Sequence, residues 1–104
     1  MIRLFDFLPA ADADLREIIR YSRKQWGVAQ THTYVAALKH GIEELAKGEG
    51  FYKTLSEVHP ELRIAHCGHH YIFCLNRSDA PAIIVAILHE RMDMLARLKS
   101  RLVP

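Results

Sequence analysis

The stretch Leu62–Asp93, LRIAHCGHHYIFCLNRSDAPAIIVAILHERMD, decides the fold. Its first two apolar segments, Leu62–Cys67 and His69–Leu75, are parted by Gly68 alone, which predicts a tight β-hairpin. Asn76, Arg77, Ser78, Asp79, Ala80 and Pro81 then make a polar turn. Ala82–His89 is a nearly unbroken apolar run (Ile83, Ile84, Val85, Ala86, Ile87, Leu88), the composition of a central strand covered on both faces. Three strands in succession predict an antiparallel meander.

On the C-terminal side, Met92, Leu95, Leu98 and Leu102 recur at helical spacing, opposite a basic face of Arg97, Lys99 and Arg101. On the N-terminal side the period also turns helical. Val35, Leu38, Ile42 and Leu45, flanked by Tyr34 and Ala37, mark a helix from about Val28 to Lys47. Leu15, Ile18, Ile19, Ser22 and Trp26 mark another, opened by Asp12 as N-cap with Asp14 and Glu17 near its positive end, and stopped at Gly27. One glycine between two helices predicts a tight antiparallel hairpin. Gly48–Glu61 loses the period and reads as an irregular loop anchored by Phe51, Tyr52, Leu55 and Val58. Ile2–Phe7 alternates as a short first strand, and Pro9 stops it. The expected architecture is α+β: an N-terminal strand, a helical hairpin, a three-stranded antiparallel meander joining the sheet, and a short C-terminal helix.

At 104 residues, 50% hydrophobic and 25% charged, the chain has the balance of one globular domain spanning residues 1–104 rather than of a disordered segment. No apolar run reaches the ~18 residues of a membrane span, and the N-terminus has no signal-peptide pattern, so the cytoplasm is the expected address. Cys67 and Cys74, seven residues apart in a cytosolic chain, read as buried thiols rather than a bridge. A net charge of +2 is only mildly basic and does not mark a strong, sequence-specific DNA binder. It suits an acidic protein partner.

Several local patterns, in this order of elements, resemble the ParE branch of the RelE/ParE toxin superfamily. They are Asp14-Leu15 with Ile18 and Tyr21, Trp26-Gly27, Pro60-Glu61-Leu62-Arg63, His70-Tyr71-Ile72-Phe73, and Ile87-Leu88-His89-Glu90-Arg91-Met92-Asp93. The closing Leu-His-x-Arg-Met-Asp is the most specific. The chain departs from that branch at Ala86, where an arginine is common, and at Cys74 and Leu75, where an aromatic and a basic residue are common. The resemblance implies the toxin of a type II toxin-antitoxin module that inhibits DNA gyrase without catalysis or cofactor. It also implies neutralisation by a cognate antitoxin laid along the hairpin and sheet, with higher-order toxin-antitoxin assemblies. Two alternatives stay open: a ribosome-dependent mRNA endoribonuclease of the RelE type, or a toxin-fold protein that only binds.

Residues for partner or target contact are the first-helix face Arg16, Arg20 and Arg23 with Lys24, together with Trp26, the strand-exit cluster His89, Arg91 and Asp93, and the C-terminal Arg97 and Arg101. Each has a plain reading as well: solvated polar faces, an Arg91–Asp93 ion pair or a cap on the last helix, and Trp26 with Tyr34 as hairpin core. A nuclease would need a general base, an acid and cations for the phosphate, for which Arg63, Tyr71, His89 and Arg91 are candidates, with Lys53 and His66 in support. His66, Cys67, His69 and His70 could each ligate zinc, but alternation along strands sends neighbours to opposite faces and no distant cysteine pair completes a site. No metal centre is expected.

Overall fold

The computed structural model describes residues 4–102. In chain order it has β1 (Phe5–Phe7), α1 (Pro9–Lys47), β2 (Lys53–Thr54), β3 (Leu62–Cys67), β4 (His70–Leu75), β5 (Ala82–His89) and α2 (Met94–Leu102). The sheet order is β1-β5-β4-β3-β2, with β1 parallel to β5 and the other pairs antiparallel. The expected α+β plan of strand, helical hairpin, meander and short helix holds. Of the predicted first strand, Ile2 and Arg3 lie outside the described residues.

α1 is two helical arms joined at Gly27, whose backbone (φ 83°, ψ 176°) breaks the helix. The arms run in opposite directions. The Leu8 N–H bonds the Ile84 carbonyl and Asp14 reaches Ile87, so the first arm follows β5. Tyr34 then meets Cys67 and His70, and Leu45 meets Arg63 at the other end of the sheet, so the second arm returns. Ala11 and Ile18 from one arm and Leu38, Ile42 and Leu45 from the other bury against Ile72, Cys74, Ile84 and Ile87. The opposite face of the sheet carries Leu62, Phe73, Val85, Ala86 and Leu88 and is covered by Leu98 of α2.

β5 is thus enclosed on both faces, and its unbroken apolar run follows from that. It also carries a bulge. Phe73 pairs with Ala86 and Cys74 with Ile84, which leaves Val85 as the extra residue. The bulge inverts the alternation, so Ile84 and Ile87 both face α1 although they are three apart.

Four local expectations need correction. The helix starts at Pro9 and its N-cap is Leu8, with no capping side chain, rather than Asp12. Proline fixes φ and lacks the N–H that a first turn leaves unpaired, so it opens the helix that it was expected only to precede. Asp12 lies in that first turn and pairs with Arg16 at 2.9 Å. The loop Gly48–Glu61 contains the two-residue β2, which alternation cannot reveal in so short a piece. Leu55 and Val58 do pack under the α2 face, but Phe51 is 102% exposed and anchors nothing. Finally, Gly68 and His69 form the two-residue turn and β4 begins at His70; φ is +59° at Gly68, as at the first central position of a type II′ turn. Both cysteines are free thiols, and burial pushes Cys74 up to about 11.

Candidate functional site

β5 is longer than its neighbour β1. Phe7, the last residue of β1, pairs with Ile84, and β5 runs on to His89. The backbone groups beyond that point need partners, because buried polar groups left unpaired cost about 1–3 kcal/mol each. Side chains supply them. The Ile87 N–H donates to Asp14 Oδ2 at 3.0 Å, and the Val85 carbonyl accepts from Arg101 at 3.1 Å. Arg101 also donates to both oxygens of Asp14, at 2.6 and 2.9 Å. Asp14 comes from α1 and Arg101 from α2, so this fork joins the two helical layers across the free edge of β5. The two side chains are only 16% and 13% exposed. Arg101 therefore leaves the set of surface residues expected to meet a partner; it is consumed internally.

Beyond this clasp, the end of the first α1 arm and the exit of β5 enclose a cleft of about 590 Å³. Part of its wall is apolar, from Ile18, Tyr21, Trp26, Ile87 and Met92, with Asp14, Glu17 and Ser22 of the first arm beside them. Tyr21, Trp26 and Met92 remain 57%, 37% and 42% exposed, so the walls present unburied apolar surface rather than closing on themselves. Trp26 is held edge-on between Tyr21 (6.4 Å) and Tyr34 (6.0 Å). It is both part of the hairpin corner and part of the cleft.

One side of the cleft is a cluster of imidazoles. The cross-strand pair His70 and His89 meet edge to face at 5.3 Å, and His69 stacks towards His89 at 6.4 Å. Glu90 accepts from His66 Nε2 at 3.2 Å and from His69 Nδ1 at 3.3 Å. Hydrogen bonds from His69 and then His66 hold the Glu90 carboxyl below its ordinary range. The Arg91 N–H donates to His89 Nδ1, so that nitrogen carries no proton. His70 is buried, and burial followed by the neighbouring His89 and His69 lowers its pKa to about 4. Among the described residues no three histidine, cysteine or carboxylate side chains converge as a metal site.

The other candidate residues disperse. Arg16 and Arg20 are exposed and paired with Asp12 and Glu17, at 2.9 and 3.1 Å, while Arg23 and Lys24 are exposed on the same arm. Asp93 caps α2, accepting from the Ala96 N–H at 3.3 Å, and does not pair with Arg91. Arg91, Arg97 and Lys99 are exposed. Of the residues a nuclease would use, Arg63 donates to the Leu45 carbonyl at 3.1 Å at the far end of α1 and lies over the Tyr52 ring. Tyr71 is on the α2 face, stacked on His66 at 4.5 Å, while His89 and Arg91 line the cleft on the α1 face. Four groups meant to surround one phosphate occupy two faces and two ends of the sheet.

The sequence reading missed the Asp14–Arg101 fork, the Tyr34–His70 hydrogen bond and the role of Tyr21. Charge spacing along single helices could not have found the first. Tyr21 did carry a signal: an aromatic beside Ser22 widens the apolar stripe towards Trp26.

A family profile described as "ParE toxin of type II toxin-antitoxin system, parDE" matches residues 5–94. The chain is 59% identical over 92 residues to "Toxin ParE" of Escherichia coli, covering 88% of this chain and 89% of that one. It is 33% identical over 86 residues to "Toxin ParE1" of Mycobacterium tuberculosis, covering 83% and 88%. Against "Toxin ParE1" of Caulobacter vibrioides the identity is 32% over 88 residues, covering 85% and 90%.

Proposed function

The chain belongs to the ParE toxin family of type II toxin-antitoxin systems, and from that premise we propose that it stops growth by inhibiting DNA gyrase. It is the toxin of a parDE pair, and its partner is an antitoxin.

The carrying observation for the partner is the cleft at the hairpin corner. Exposed Tyr21, Trp26 and Met92 over buried Ile18 and Ile87 offer sockets for an apolar stripe, and aromatic and methionine side chains in such pockets dominate binding energy. Arg91 at the rim favours an acidic side chain beside that stripe. The antitoxin segment orders as it binds and covers surface the free toxin leaves wet. We place the pair in the cytoplasm, where gyrase works; among the described residues no helix is long and apolar enough to cross a membrane.

A non-catalytic action is supported by the dispersal of Arg63, Tyr71, His89 and Arg91, because general acid-base chemistry needs its groups within hydrogen-bond reach of one substrate. The test is supercoiling by purified gyrase with the toxin titrated in. Inhibition with accumulation of cleaved linear DNA, relieved by the antitoxin, is the expected result. A folded toxin that arrests growth yet leaves supercoiling intact would move the target elsewhere, and mRNA cleavage would be scored next.

A further inference from the structure

The Tyr34 hydroxyl touches three groups of the β3–β4 hairpin. Its shortest contact, 2.6 Å to His70 Nδ1, is too short for an ordinary N–H donor and usual for an O–H one, which assigns the hydroxyl as donor to a neutral imidazole; the oxygen also accepts from the His69 N–H at 3.0 Å, and the Cys67 carbonyl, at 3.3 Å, is the alternative acceptor for its proton. The ring sits so close over the turn that a Cβ on Gly68 would come within 2.5 Å of it. The same ring braces Trp26 at 6.0 Å. One side chain therefore seats the returning arm of α1 on the turn and sets one wall of the cleft.

We infer that Tyr34, His70 and the β3–β4 turn form a proton-operated latch: with His70 neutral it holds the hairpin corner closed, and proton uptake by His70 releases Tyr34 and opens the cleft around Trp26. The chemistry is in the hydrogen bond. A neutral His70 accepts at Nδ1; a protonated one donates from both nitrogens and cannot. The hydroxyl must then turn its proton to the Cys67 carbonyl at 3.3 Å, giving up its shortest bond. The new charge would lie in a buried position beside two other imidazoles, His69 in the turn and His89 on β5.

Every packed element contributes to the field at this site. From α1 come Tyr34 itself and, across the cleft, Asp14 and Glu17. Cys67 of β3 is uncharged, its thiol pushed up by burial, and His66 of β3 is turned to Glu90. Beyond β5, Glu90 favours the proton, but its oxygens are already engaged by His66 and His69; Arg91 lines the same cleft. Asp14 is held by Arg101. The carboxylates near enough to welcome a charged His70 are committed elsewhere, so burial and the imidazoles prevail.

The sign follows from linkage. The closed form binds the proton only near pH 4, whereas an open form with hydrated His70 binds it near the ordinary 6.5. Acidification below 6.5 therefore favours the open form, by roughly tenfold at pH 5.5 relative to pH 8.

Amide hydrogen exchange on the free chain tests it. The His69 N–H, which bonds Tyr34, should lose protection about tenfold between pH 8 and 5.5 after correction for the intrinsic rate, while the β4 and β5 amides of Phe73 and Val85 stay protected. The fluorescence of Trp26, the single tryptophan, should change over the same range. His70→Asn offers Tyr34 an acceptor that does not titrate in this range and should flatten both responses. His89→Gln removes one opposing imidazole and should move the transition to higher pH. Constant His69 protection in the unsubstituted chain, an equal loss in His70→Asn, or a His69 amide as well protected as Phe73 and Val85, which would make the opening global, would each overturn the latch.

Discussion

At the scale of single residues, Asp14 and Arg101 serve the backbone as much as each other. Removing either strands the other and unpairs a β5 group as well, Ile87 N–H in one case and Val85 C=O in the other. Asp14→Ala and Arg101→Ala should each lower unfolding stability by about 2–4 kcal/mol in urea titrations. Arg101→Lys keeps the charge without the two-pronged donor and should recover only part of the loss. A full recovery by lysine would show that charge alone matters. His70 acts through pH. Its folded pKa of about 4 lies below its ordinary 6.5, so the unfolded chain takes up the proton first. The stability it contributes is present above pH 6.5 and is lost as pH falls towards 4, an effect on the order of 2 kcal/mol. Chemical denaturation between pH 4 and 8 should show a flatter profile for His70→Asn than for the unsubstituted chain; parallel profiles would assign the acid sensitivity to other groups.

At the scale of elements, Gly27 and α2 decide how the layers close. With φ at 83° and ψ at 176°, Gly27 occupies a region that is essentially restricted to glycine, although a Cβ there would meet no neighbour within 4 Å. Gly27→Ala should therefore cost about 1–3 kcal/mol by backbone strain alone, read as a lower thermal midpoint. No loss would mean that the corner relaxes into another turn. α2 covers its face of the sheet chiefly through Leu98, which is fully buried, with Met94 and Leu102 beside it. Leu98→Ala should cost about 2–5 kcal/mol and leave the Arg101 fork as the remaining tie. The basic residues at the end of α2 look alike in the sequence, yet Arg101 points inward while Arg97 and Lys99 stay in solvent. Helical period distinguishes faces; it does not show that a neighbouring strand edge has an unpaired carbonyl.

At the scale of the whole molecule, folding gathers at one corner groups that are far apart in the chain: Tyr21 and Trp26 before the helix break, His69 and His70 at a hairpin, Met92 after the last strand. Because Tyr21 and Met92 are more exposed than the core, Tyr21→Glu and Met92→Glu should weaken antitoxin binding at least tenfold while moving the melting temperature little. Calorimetric titration checks this, and undiminished affinity would place the antitoxin on another surface. The order of elements along the chain, the hairpin and the two-faced burial of β5 were legible in the residues, since periods of 2 and 3.6 are local properties that survive any arrangement of the whole. So was the family, through the run Ile87–Asp93. Which polar side chains would be spent inside and which would remain at the surface was not. That choice depends on where β1 ends relative to β5 and on a one-residue bulge at Val85, features set by the packing of layers against one another and carried by no single stretch of chain.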